Sequence, residues 1–268
     1  MNKLSTFLGI GAALLLTPFT YASFITGSNL NISDINNVAV NLQYIDFGYT
    51  GAVTVGSPEI ATGTVVGVGS GPFSVSPSSG SFSGLTGTVN VADLCQPGIG
   101  PCADPVVAGV ATSFANFITF STQPTWTVTL TMLDVGGGTV GDCAGGAGSG
   151  LSGQSCTIPG SPFTLTNTGG AAGTPATGVN VALEFQGTIT DGTVTNPITG
   201  NFSTQFSGTD LQTILADINA GESIANSASG TLTLQAGASG VPEPASFTLA
   251  GLGGALIALG ALRRKSQG

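Results

Sequence analysis

Apolar and polar residues alternate with period two along several stretches of the chain, the pattern of half-buried β-strands. In residues 38–44, Val38, Val40, Leu42 and Tyr44 share one face. In residues 125–133, Trp126, Val128, Leu130 and Met132 share a face, and Thr125, Thr127, Thr129 and Thr131 take the other. In residues 179–189, Val179, Val181, Leu183, Phe185 and Ile189 point one way, opposite Asn180, Glu184, Gln186 and Thr188. Phe202, Thr204 and Phe206 make a shorter run, as do Leu232 and Leu234, and residues 114–120 are apolar enough for a buried strand. β-Branched residues on the polar face suit a pleated surface. One segment changes period. Leu211, Ile214, Leu215 and Ile218 follow helical spacing, with Thr209 as N-cap and Gly221 to end the helix. These elements predict an all-β domain, an antiparallel β-sandwich of jelly-roll or immunoglobulin-like topology with one short helix near 210–220. Residues 56–90 and 136–178 are rich in Gly, Ser and Pro and read as long irregular loops or short strands.

Two apolar runs fall outside this pattern, one at each end. Residues 1–22 read as a secretory signal peptide: Lys3 supplies the positive charge, residues 7–16 the apolar core, and Ala22 the small residue before cleavage. Near the other end, Val241, Pro242, Glu243 and Pro244 precede an uncharged run, residues 245–262, which Arg263, Arg264 and Lys265 close. As a helix this run reaches about 27 Å, enough for the hydrocarbon core of a bilayer. It predicts a C-terminal transmembrane helix with the basic trio left on the cytoplasmic side as a membrane stop. The chain therefore divides into a signal peptide (1–22), an ectodomain (23–240) and a C-terminal segment (241–268).

Charge narrows what the ectodomain can do. Charged residues are 6% of the chain, against about 25% in ordinary soluble proteins. The four basic residues are Lys3, Arg263, Arg264 and Lys265, and there is no His. All 13 acidic residues except Glu243 lie in the ectodomain. Nucleic-acid binding needs cations to displace counterions from phosphates, and the ectodomain has none. Imidazole-based catalysis, a P-loop lysine and His-ligated zinc are excluded on the same inventory. The like charges repel one another, and added salt weakens that repulsion.

The order Val-Pro-Glu-Pro, then a Gly/Ala/Leu helix, then an Arg-rich end resembles the PEP-CTERM sorting signal of Gram-negative bacteria. The resemblance covers residues 241–268 and implies a function for the tail alone. Pro242, Glu243 and Pro244 would be the recognition motif of exosortase, a membrane protease-transpeptidase, and residues 263–265 the stop. It implies an inner-membrane intermediate, then release to the cell surface or extracellular matrix. Proteins with this signal are associated with exopolysaccharide and biofilm.

The remaining candidates are weighed on their own residues. An exported chain with an even count of Cys is expected to form disulfides. Cys95 with Cys102, and Cys143 with Cys156, are favoured because short loops close at low entropy cost. A four-Cys metal site is the competing reading, and neither pair has the tight spacing of a zinc ribbon. The acidic residues, Asp46, Glu59, Asp93, Asp104, Asp134, Asp142, Glu184, Asp191, Asp210, Asp217 and Glu222 among them, read as solvated loop carboxylates rather than as a catalytic pair. Glu184 lies mid-strand on the polar face. Calcium is a weak alternative at Asp34-Ile35-Asn36-Asn37 or Asp134-Val135-Gly136-Gly137, and otherwise no cofactor is expected. Trp126 and Tyr44 belong to apolar faces, whereas Tyr49, in a Gly-Tyr-Thr-Gly turn, reads as exposed. The overall expectation is a structural or interaction protein of the cell surface or matrix and not an enzyme. The alternatives are a secreted carbohydrate-binding module, or a glycan enzyme using two carboxylates.

Overall fold

The computed structural model describes residues 24–236, apart from 57, 99–104, 139–142 and 144–149. The expected signal peptide and the segment from Val241 onward, with its transmembrane helix, lie outside the described residues. Among the described residues, no helix is long and apolar enough to cross a membrane.

In chain order the elements are β1 (Asn29–Asp34), β2 (Asn37–Val40), β3 (Tyr44–Tyr49), β4 (Val53–Thr54), β5 (Ile60–Ala61), β6 (Ser70–Val75), β7 (Thr88–Ala92), β8 (Leu94–Cys95), β9 (Phe114–Phe120) and β10 (Thr127–Leu133). Then follow β11 (Ser155–Cys156), β12 (Phe163–Thr168), β13 (Gly178–Thr190), β14 (Thr195–Ser207), the helix α1 (Leu211–Asn219), β15 (Ile224–Asn226) and β16 (Ser229–Leu234). A 3-10 turn at Gly80–Phe82 lies between β6 and β7.

The fold is mostly β, with two antiparallel sheets and one short helix, as the periodicity predicts. It departs from an open sandwich in one respect. The larger sheet runs β10-β9-β7-β6-β1-β16-β14-β13, and β13 then pairs back to β10, so eight strands close into a barrel. Closure removes the exposed edges that an open sheet would leave. It depends on the length of β13. One end of that strand, from Gly178 to Leu183, pairs with β12, and the other, from Phe185 to Thr190, pairs with β10 along the same edge. The smaller sheet has the order β4-β5-β15-β2-β3-β8.

An eight-stranded barrel is just wide enough for its own side chains to fill. Here Leu30, Ile32, Phe73, Val89, Val91, Ile118, Val128, Leu130, Phe185, Ile189, Ile198, Phe202 and Leu232 are buried in one core. The sequence alternation in β13 and β14 holds along both strands. In β10 it holds to Leu130 and then slips: the pairing to β13 shifts between Leu130 and Met132, so Leu133 is buried where Met132 was expected. β9 carries a compensating bulge, with Asn116 at a φ of 58°.

The Gly/Ser-rich span 56–90 supplies two barrel staves, β6 and β7, not only loops. In β6 one small residue answers to crowding. A Cβ at Gly71 would overlap the backbone of Phe47 and Gly48, where β3 lies against the barrel. The run 38–44 is not one strand. The Asn41 carboxamide accepts from the amides of Gln43 and Tyr44, a local turn that splits β2 from β3 and throws Leu42 outward. In α1, Leu211, Ile214, Leu215 and Ile218 are all buried, as their spacing predicts. The N-cap is Asp210 rather than Thr209: its carboxylate accepts from the Thr213 amide, while Thr209 is buried. The helix packs on β12, β13 and β14 beyond the barrel, in a second core with Leu165, Val179, Val181 and Phe206.

Candidate functional site

Among the described residues, two groups of aromatic rings pack together. At one end of the barrel, Trp126 packs edge-on against Phe24, Phe82 and Phe120, at ring-centroid distances of 5.1, 6.0 and 5.8 Å. Trp126 is therefore a plug residue, as its place on the apolar face predicts. At the other end, Phe47 of β3 reaches in to Phe73, Phe117 and Phe202. The smaller sheet thus covers this mouth through a ring on β3.

Tyr49 corrects the sequence reading. It lies on β3, not in a turn, and is 3% exposed. Its hydroxyl donates to the Ala52 carbonyl and accepts from the Gly63 amide. The ring fits because a Cβ at Gly51 would occupy the same space. Among the described residues every aromatic side chain is buried or half-buried.

A second correction concerns the carboxylates. Asp46 and Asp93 are buried rather than solvated. The Phe47 amide donates to Asp93 at 2.9 Å, and the Gly48 amide to Asp46 at 3.1 Å. The Val66 amide also donates to Asp46, at 3.4 Å. Together the two carboxyls satisfy backbone donors where β3 crosses the barrel mouth. Burial is the main cause that pushes Asp93 up to about 7, and the neighbouring Asp46 charge adds to it against the Phe47 hydrogen bond. Burial also raises Asp46. No sequence pattern marks these acids, because β3 is covered on both faces and Ile45, Asp46 and Phe47 are buried in succession. Glu184, by contrast, is exposed as its position in the alternation predicts.

The proposed calcium loops are separate. Asp34 and Asn37 flank the turn from β1 to β2, beside a polar notch shared with Thr50 and Ser227. Burial pushes Asp34 up to about 6. Asp134 accepts instead from the Gln186 carboxamide at 2.8 Å. Among the described residues, no three His, Cys, Asp or Glu side chains gather around one point.

Cys143 and Cys156 are joined, with Cα atoms 5.1 Å apart. Their bond ties the Gly-rich connection to β11 beside the helix. Cys95 lies on β8 and is itself disulfide-bonded. Cys102 lies outside the described residues, and so does its expected pairing. The sorting residues Val241, Pro242, Glu243 and Pro244 and the stop residues Arg263, Arg264 and Lys265 also lie outside them.

The main concavity was not anticipated from the sequence. Between the β2–β3 turn, the β12–β14 platform and α1 lies a cavity of about 510 Å³. Its walls are apolar: Val38 and Ile45 on one side, Val181 and Phe206 on the other, Ile214 and Ile218 from the helix.

Comparison with known proteins assigns the tail. The family model of the PEP-CTERM protein-sorting motif matches residues 240–265. The chain is thus a PEP-CTERM domain-containing protein, and this motif is associated with processing by exosortase. No curated protein and no solved structure matches the chain.

Proposed function

We propose that the protein is a structural or interaction component of the cell surface or extracellular matrix of a Gram-negative bacterium. It is exported by its signal peptide, held briefly in the inner membrane by its C-terminal helix, released by exosortase, and associated there with exopolysaccharide or biofilm. The observation that carries this reading is the sorting motif at residues 240–265, joined to a folded, wholly acidic β-domain whose last strand ends at Leu234. No catalysis and no cofactor belong to it.

Two features support a non-enzymatic role. The buried acids Asp46 and Asp93 resemble the pair a glycan enzyme would need, yet their oxygens hold backbone amides and line neither the apolar cavity nor the polar notch. The aromatics that a carbohydrate-binding module would display are consumed in packing. The test is the intact mass of the protein recovered from outside its own cells. The expected mass is that of residues 23 to about 243, less two protons per disulfide. A mass that retains residues 245–268 overturns the sorting reading.

A further inference from the structure

We propose that the cavity between the smaller sheet and the β12–β14 platform binds a neutral amphiphile with a single alkyl chain. The inference is independent of the sorting reading. Its volume of about 510 Å³ falls within the roughly 300–1,000 Å³ of small-molecule sites. A hydrocarbon occupant makes dispersion contacts along the whole of an apolar lining of this size.

The chemistry of the walls selects the ligand. Among the described residues, no charged side chain lines the cavity. There is also no Lys, Arg or His between residues 4 and 262 to pair with a carboxylate or phosphate. An anionic head would lose its hydration without gaining a counter-charge, and the acidic domain would repel it. A hydroxyl, ester or amide head has partners. Gln43 and Gln96 stand exposed at the rim, held together by the Gln96 backbone N–H, which donates to the Gln43 backbone carbonyl at 3.0 Å and leaves both side-chain carboxamides at the rim. Carboxamides both donate and accept, which suits a neutral polar head.

The mouth is apolar as well. Leu42 and Val107 line the cavity and remain 46% and 41% exposed. Large apolar side chains held in water at the rim of an apolar cavity mark an entry surface, whereas a scattered exposed Leu or Val needs no explanation. The local turn at Asn41 is what holds Leu42 there.

The test uses the protein as recovered from its own cells, with its intact mass recording whether the tail is present. N-phenyl-1-naphthylamine, a neutral apolar fluorophore, serves as reporter. We expect saturable one-to-one binding, displaced by monolauroylglycerol below its micelle concentration. Laurate at pH 8 should displace at least tenfold less effectively. The double variant Leu42→Glu/Val107→Glu should lose at least tenfold in affinity, because both residues are already solvent-facing and a charge there guards the mouth. Val55→Glu, at a side chain 90% exposed and absent from the lining, should bind as the parent does. Absence of saturable binding overturns the proposal. So does an equal loss in Val55→Glu, or displacement by laurate as strong as by monolauroylglycerol. Binding by the processed protein but not by the tail-bearing one would place the chain's own residues 245–262 in the cavity, and would overturn it too.

Discussion

The two ends of the barrel solve the same problem by different chemistry. At one, Phe24, Phe82, Phe120 and Trp126 interlock and exclude water with rings alone. At the other, a second sheet lies across the mouth, inserts Phe47, and brings backbone amides and two carboxylates into the dry interior. Rings seal by filling space. A strand laid over a mouth brings polar groups that must be satisfied, and it meets the neighbouring platform imperfectly. The buried acids and the apolar cavity both follow from that second solution. The aromatic end is a closure, and the strand-covered end is where binding is possible.

The contrast can be broken by removing one ring from each end. Phe47→Ala should cost about 4 kcal/mol, in the range for a buried Phe, because Phe47 touches three other rings and is fully buried. Trp126→Ala should cost about 3 kcal/mol, at the low end of that range, since Trp126 is half-buried. Urea midpoints of the two variants measure the difference. A larger loss at Trp126 would mean that the second sheet adds little to closure.

Acidity tells the ends apart with a smaller effect. Asp93 is 5% exposed and is held up to about 7, against 3.8 for an ordinary Asp. The folded state therefore binds the proton more tightly than the unfolded chain does. Stability from this group is fully present below about pH 4 and is lost as pH rises through 7. Between pH 5 and pH 8 the loss is on the order of 2.5 kcal/mol, and Asp34 and Asp46, also raised, act in the same direction. Asp93→Asn keeps an acceptor for the Phe47 amide and should flatten most of this slope. Urea unfolding of both proteins at the two pH values reads it, and an unchanged slope in the variant would remove Asp93 from the account.

The smallest expected effect sharpens the comparison within the strand-covered end. Asp210→Ala removes the N-cap of α1 and should cost about 1 kcal/mol. Because α1 packs in its own core with Leu165 and Val179, amide exchange should rise in Leu211–Asn219 while the barrel amides stay protected. Equal acceleration in β10 would mean that the helix and barrel open as one unit.

These features differ in how far the residues alone disclose them. The long alternation of β13 and the 3.6-residue spacing of α1 are local, and both are legible. So is the tail, whose parts stand in sequence order. Barrel closure is not local. It rests on residues 127–133 finding residues 185–190, and a period-two pattern says which face is buried without saying which strand lies beside it. In β6 the strand signal is weak because close approach to β3 demands Gly71 where strand propensity would call for a larger residue. The cavity could not be seen at all, since its walls come from many separate stretches of chain, from Val38 to Ala228. The burial of Asp46 and Asp93 arose the same way, from strands stacked on both faces of β3.

The pairing of β1 with β16 has a mechanical meaning. The Gly27 amide donates to the Leu234 carbonyl, so the described chain enters and leaves at the ring-sealed end. A tether drawn from residue 236 pulls β16 along its own axis. That strand is clamped on both sides, by β1 and by β14. The load falls on both ladders in shear, many bonds at once, rather than unzipping them one by one. Anchored this way, the domain would stand on its ring-sealed base with its apolar mouth facing outward.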